Sequence, residues 1–262
     1  MKVLLLITLV SLLLGIGALA GQFDIAEDEV RIVGGNATTI EQFPYIAQLR
    51  IDNQFECGAC IISPKWVLTA GHCTNGYTEL IENITLRVGA TEFDQTANEA
   101  ITLANLYIHP LYNETTQDYD ISILLLNNNL VFGNKINSIA LPPPNLVLPA
   151  GTLATVAGWG TLTYLGALPT QLQEVTVPII TNEECALRYN DTNTYISDRN
   201  LCAGYDQGGR DTCSGDSGGP LTANGVLYGV VSGGIGCADA KYPGTYTNVS
   251  SVRSFITSVT GL

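Results

Sequence analysis

The amino-acid sequence predicts an all-β fold. Three observations lead there. Apolar residues come in short runs of strand length, each bounded by Gly, Asn or Pro, with no helical stretches between them. A proline-rich segment, Leu141-Pro142-Pro143-Pro144 to Pro149, can be neither helix nor central strand and splits the chain into halves of similar size. The composition, 46% hydrophobic and 13% charged over 262 residues, suits one or two compact domains with a real core. Together these point to barrel or sandwich architecture.

The elements follow in order. Lys2, the apolar Val3 to Leu14 and the small-x-small Ala18-Leu19-Ala20 have the make-up of an export signal over residues 1–20. A membrane anchor is the alternative; Gly15, Gly17 and Ala18 dilute the apolar stretch and argue against it. Residues 21–31 are short and acidic and read as a pro-segment ending at Arg31. Ala47, Leu49 and Ile51 then alternate with Gln48 and Arg50, the pattern of a strand with one apolar face. Val67 to Thr69, Thr85 to Val88, Ile121 to Leu126, Leu153 to Ala157, Val175 to Val177 and Leu227 to Val231 have strand length. One helix is expected, at the end. Val252, Phe255, Ile256 and Val259 fall at i, i+3, i+4 and i+7, with Ser250 or Ser251 as its cap.

Charge excludes some functions. The net charge is −13 and no basic patch exists, so neither nucleic acid nor an anionic membrane is an expected partner. The expected product is secreted and extracellular, where cysteines pair. Seven cysteines, Cys57, Cys60, Cys73, Cys185, Cys202, Cys213 and Cys237, leave one over. Cys57-Gly58-Ala59-Cys60 lacks the second ligand pair of a zinc site, so no metal is expected there. Asn36, Asn83, Asn113, Asn190 and Asn248 head N-x-[ST] sequons; they are candidate glycan acceptors or chance matches in Asn-rich loops.

The chemistry concentrates in Asp211-Thr212-Cys213-Ser214-Gly215-Asp216-Ser217-Gly218-Gly219-Pro220. A serine between glycines has room around it and a backbone free to turn N–H groups towards a ligand. Its hydroxyl is a poor nucleophile without a base in contact and donors for the oxyanion that forms. Alone, the motif could be an ordinary turn. His72, just after the apolar Val67-Leu68-Thr69, supplies the base; His109, before Pro110, reads as a loop residue. Asp120 enters another apolar run, which is costly unless it is hydrogen-bonded, and a histidine N–H would satisfy it.

From Ile32 to the C-terminus the chain resembles the chymotrypsin/trypsin family of serine proteases. The resemblance is carried by Arg31-Ile32-Val33-Gly34-Gly35, Thr69-Ala70-Gly71-His72-Cys73, Asp120-Ile121, Gly158-Trp159-Gly160 and Gly215-Asp216-Ser217-Gly218-Gly219-Pro220, in the family's order. It implies one protease domain, 32–262, made of two six-stranded antiparallel barrels, about 32–141 and 152–249, and a C-terminal helix. It also implies a catalytic triad of His72, Asp120 and Ser217, with the N–H groups of Gly215 and Ser217 as the oxyanion hole. Cleavage after Arg31 would free the Ile32 amine to pair with Asp216. Asp211, Thr212, Ser232, Gly234 and Gly244 would shape the specificity pocket, giving cleavage after Arg or Lys, with Thr212 tilting the preference to Arg. Disulfides would join Cys57–Cys73, Cys185–Cys202 and Cys213–Cys237, leaving Cys60 a free thiol.

Three positions depart from the family pattern: Gly71 for Ala, Cys60 for Ser, and Gly233 for an aromatic residue that walls the cleft. The last is expected to weaken substrate binding, and Gly233→Trp to restore it. The calcium-loop stretch opens with Ala90 where a carboxylate is usual; Glu92, Asp94 and Glu99 remain, and no tight site is expected. No cofactor is expected. The expected state is a monomer whose partners are protein or peptide substrates and protein protease inhibitors. An inactive homologue serving as a binding module would usually have lost a triad or activation residue, and none is lost here. An inhibitor or lectin-like β domain leaves the triad spacing unexplained. The short pro-segment and the lack of accessory domains favour a digestive role.

Overall fold

The computed structural model describes residues 32–93 and 100–262. The expected export signal and pro-segment, including Arg31, lie outside them, as do Asp94 and Glu99. Strands dominate. β1 (Asn36–Ala37), β2 (Ile46–Ile51), β3 (Gln54–Ile61), β4 (Trp66–Thr69), β5 (Ile84–Val88), β6 (Ile101–Ile108) and β7 (Ser122–Leu126) occupy the first half. β2-β3-β4-β7-β6-β5 closes into an antiparallel barrel. β8 (Leu153–Gly158), β9 (Gln173–Ile180), β10 (Asn200–Ala203), β11 (Pro220–Ala223), β12 (Val226–Gly233) and β13 (Gly244–Asn248) make the second. There the order is β9-β10-β13-β12-β11-β8, closed by the β8–β9 pairing, and β1 adds to β9 from outside. The protein is therefore two six-stranded antiparallel barrels, as expected.

Local chemistry explains the turns and the cores. β2 and β3 form a hairpin across Asp52-Asn53, both left-handed (φ 50° and 64°), the paired positive values that match strand twist. Leu49, Leu68, Leu86 and Ile123 fill the first barrel; Val156, Val177, Leu201 and Tyr246 fill the second.

Three sequence expectations differ from what is found. The polar face of β2 is not solvated: Gln48 and Arg50 are buried along with their apolar neighbours. Gln48 stands opposite Gly58 on β3, and a Cβ on Gly58 would lie 2.9 Å from Gly219 of the second half. Cross-strand partners share a face, so Gln48 faces the junction of the barrels. The C-terminal helix, α2 (Arg253–Thr260 after a first helix, α1, Asn182–Arg188), is capped by neither serine. The Ser250 hydroxyl donates to Pro143 O and that of Ser251 to Asn248 O. Finally, α1 was not expected. Its seven residues are too few for periodicity to show; the legible signal was Thr181, whose side chain accepts the Glu184 N–H as an N-cap.

The proline segment is pinned where it crosses between the halves. Ala140 O accepts the Leu227 N–H (2.9 Å) and Pro142 O accepts Arg253 Nε (2.9 Å). Helix α2, though last in the chain, packs Ile256, with Val252 just before it, into the apolar cluster of the first barrel and sets Phe255 edge-on to His109. The tail thus straps one barrel to the other.

Candidate active site

His72 sits in the turn after β4 and Asp120 two residues before β7, adjacent strands of the first barrel. The pairing brings them together at both backbone and side chain. Asp120 Oδ1 accepts the His72 backbone N–H (2.8 Å), and Oδ2 lies 2.8 Å from His72 Nδ1. Asp120 is fully buried, whereas the imidazole is about a quarter exposed (26%), so one face of it reaches solvent. A third donor comes from the other barrel: Ser232 Oγ at 2.6 Å from Oδ2. The Thr247 hydroxyl takes the Asp120 carbonyl (2.6 Å). Ser232, expected among the specificity-pocket residues, thus has its hydroxyl on the Asp120 carboxylate. The departure at Gly71 fits the same spot: a Cβ there would stand 3.1 Å from Asp120 Oδ1 and 3.2 Å from the Tyr112 ring.

Ser217 belongs to the loop between Cys213 and β11. Gly215 (φ 97°) and Gly218 (φ 79°) adopt left-handed turns that side chains resist. A Cβ on Gly218 would lie 2.2 Å from Thr69 Oγ1 and 2.3 Å from Gly58 O. The loop is therefore pressed flat on the β3–β4 edge that leads to His72. Ser217 O accepts the Gly58 N–H (2.7 Å), and Cys60 Sγ donates to Gly218 O (3.4 Å). Cys60 is the free, buried cysteine; burial pushes its thiol far up, so it is not a nucleophile.

Two more carboxylates are buried beside this loop. Asp216 accepts N–H bonds from Gly160 (2.8 Å) and Cys213 (2.9 Å). Burial raises its carboxyl from 3.8 to about 7, and Asp211 adds like-charge repulsion. Gly158 and Gly160 make room for it: a Cβ on either would come within 2.0–2.4 Å of its oxygens. Asp211 is held by the Thr212 N–H (2.8 Å), the Thr212 hydroxyl (3.3 Å) and the Ala238 N–H (3.0 Å). Burial lifts it to about 6 against those bonds. Its neighbour Arg210 is exposed and lies over the Tyr205 ring, so the two do not pair. A cavity of about 260 Å³ is lined by Asp211, Thr212, Ser217, Gly233 and Gly234. Gly244 is required beside it, since a Cβ there would be 2.6 Å from Asp211 Oδ1. Asp211 N–H also bonds Val33 O (3.2 Å), which ties the segment after Arg31 to this cavity.

The three disulfides are Cys57–Cys73, Cys185–Cys202 and Cys213–Cys237. The first two sulfurs lie close to His72, but bonded to each other they offer no thiolate to a metal. In the calcium-loop stretch the Arg87 guanidinium donates to Glu92 O (3.4 Å). Sequence reasoning missed Gln117, whose side chain lies over Gly233. Oε1 would stand 3.0 Å from a Cβ there, so an aromatic at 233 must first displace it.

A family model described as trypsin matches residues 32–256. Trypsin 5G1 of Aedes aegypti is 37% identical over 234 residues, 88% of this chain and 86% of that protein. Trypsin delta of Drosophila melanogaster is 38% identical over 230 residues, covering 87% and 88%. The vitellin-degrading protease of Bombyx mori is 37% identical over 228 residues, covering 87% and 85%. Among the described residues no helix is long and apolar enough to cross a membrane.

Proposed function

The chain belongs to the trypsin family of serine endopeptidases, and from that premise we propose that it is a secreted zymogen which, once cut after Arg31, hydrolyses peptide bonds following Arg or Lys. The observation that supports the specificity most is Asp211. A buried carboxylate with three neutral donors and, among the described residues, no cation lines the cavity that also holds Ser217. Such a group is costly to ionise alone and pairs well with a guanidinium or ammonium brought in by a substrate.

The chemistry then runs through named atoms. Ser217 Oγ attacks the scissile carbonyl while His72 Nε2 takes its proton. The same nitrogen later protonates the leaving amine, and water repeats the sequence on the acyl-enzyme. Asp120, with its oxygens held by the His72 backbone and Ser232, keeps Nδ1 protonated and stabilises the imidazolium. The N–H groups of Gly215 and Ser217 receive the oxyanion. Activation has the same physical basis as specificity. Among the described residues Asp216 has no cationic partner, and the new Ile32 ammonium would supply one, drawing the 213–219 loop into its working form.

Two measurements test this together. The secreted protein, before and after cleavage at Arg31, is treated with a fluorophosphonate and mapped, then profiled on a peptide library. Label on Ser217 only after cleavage, with cuts after Arg and Lys, is the expected result. Label and full turnover in an uncleavable Arg31→Gln protein would overturn the activation step. A preference for Phe, Tyr or Leu before the cut would overturn the role of Asp211.

A further inference from the structure

Asp120 is the middle residue of a three-residue turn. The Ile121 N–H donates to Tyr119 O (2.8 Å), so the chain entering the turn sets where the Asp120 carboxylate points. That entry is strained. Gln117 and Tyr119 are both left-handed (φ 54° each), a conformation that bulky side chains resist and that persists only where the surroundings hold it.

What holds it comes from the second barrel. Between the two left-handed residues lies Asp118. Its Oδ2 accepts Arg199 Nη2 (2.6 Å), and its Oδ1 accepts Arg199 Nε (3.1 Å) and the Ser197 hydroxyl (2.8 Å). The pair is two-pronged and mostly shielded from water, with the side chains 26% and 15% exposed, so it is worth more than an ordinary surface ion pair. The Arg199 guanidinium also lies 4.9 Å from the centroid of the Tyr119 ring. That ring stacks on His109 (centroids 4.4 Å apart), which in turn meets Phe255 of α2. Arg199 itself stands on a fixed base just before β10. Its N–H donates to Ser197 Oγ (3.1 Å), and the Ser197 N–H donates to Asn200 Oδ1 (2.8 Å).

We propose that Arg199 is a positioning residue: gripping Asp118 and Tyr119 from the second barrel, it fixes the strained turn that aims Asp120 at His72. It acts through Asp118 and Tyr119 and not on substrate. The bonds from Ser232 and Thr247 hold the carboxylate and carbonyl of Asp120; the clamp holds the chain that leads into it. His72 and Asp120 belong to one barrel and Ser217 to the other. A clamp next to Asp120 that joins the barrels therefore also keeps the two parts of the site in register. The proposal rests on the triad reading above but not on the specificity for Arg or Lys.

The test compares activated wild type with Arg199→Met, Arg199→Lys, Asp118→Asn and the Arg199→Met/Asp118→Asn double variant. Lys135→Met, which breaks an exposed ion pair with Glu41, is the control. Arg199→Met should lower kcat on an amide substrate roughly 10- to 100-fold with KM nearly unchanged, since a misaimed group costs turnover and not binding. Lysine keeps the charge but not the fork, so Arg199→Lys should recover part of the loss. The double variant should be no worse than Arg199→Met, because both changes open the same clamp. Proton NMR should show the His72 Nδ1–H resonance moved in Arg199→Met and in place in Lys135→Met. If Arg199→Met does not fold, Arg199→Lys and Asp118→Asn carry the same two readouts. An unchanged kcat and resonance, a loss confined to KM, or losses that add in the double variant overturns the proposal. A wild type that is inactive and unlabelled at Ser217 by fluorophosphonate would overturn the triad reading instead.

Discussion

The surroundings of Asp120 and of the Asp211–Asp216 pair make an instructive contrast. All three carboxylates are buried. Asp120 has a titratable imidazole, a backbone N–H and a hydroxyl on its two oxygens. Among the described residues Asp211 and Asp216 have only neutral donors, and burial pushes them up to about 6 and about 7. The first site is complete as folded. The other two have no cation among the described residues, and the proposed function gives each one: a substrate side chain for Asp211, a new N-terminus for Asp216. A buried carboxylate left short of positive charge thus marks where something is to bind.

The largest expected effect tests the completed site. Asp120→Asn should reduce kcat roughly 10⁴-fold, the loss known for this change in a serine-protease triad, with little change in KM. A loss under about tenfold would mean that Asp120 does not set the histidine tautomer.

Next comes Asp211. Asp211→Ser should lower kcat/KM for Arg substrates on the order of 10- to 100-fold relative to neutral ones, since the charge-assisted contact disappears. The same contact has a pH signature. Asp211 must be ionised to hold a cation, so a small arylamidine should bind the cleaved Ser217→Ala protein more weakly as pH falls through about 6. Calorimetry showing pH-independent affinity would remove Asp211 from the pocket.

Ser232→Ala removes one of the donors on Asp120 while leaving the imidazole and backbone bonds. The expected loss is roughly tenfold in kcat, because the carboxylate stays paired but turns more freely. A change confined to KM would place Ser232 in substrate binding after all.

The smallest effect is on stability. Folded Asp216 keeps its proton up to about pH 7, whereas in the unfolded chain it loses it near the ordinary value of 3.8. Across that window the folded state binds more protons, so precursor stability should fall as pH rises from about 4 to about 7. Cleavage at Arg31 should flatten the decline, because an ammonium favours the ionised carboxylate. Urea midpoints for the Ser217→Ala protein, uncut and cut, decide this; parallel curves would separate Asp216 from activation.

Much of this was legible in the chain itself. The strand-length runs at Val67 to Thr69, Thr85 to Val88 and Leu153 to Ala157 all appear as strands, because each core needs a few consecutive residues of matching pleat. Their two-barrel arrangement came from the resemblance, as did the disulfide pairs. The cap of α2 was misplaced because Ser250 and Ser251 had nearer partners in the proline segment and β13. The polar positions of β2 misled because a strand in a barrel can also be covered from outside.

What the sequence determined by itself is therefore what local order encodes: the all-β class, the segments bearing His72, Asp120 and Ser217, the odd cysteine, and acids at 211 and 216. What only the tertiary structure decided are contacts between residues far apart in the chain. Ser232 reaches Asp120, helix α2 returns to the first barrel, and Gln117 fills the space over Gly233. Such contacts leave no period or motif in the sequence, since closing the two barrels against each other, not any local propensity, sets which side chains meet.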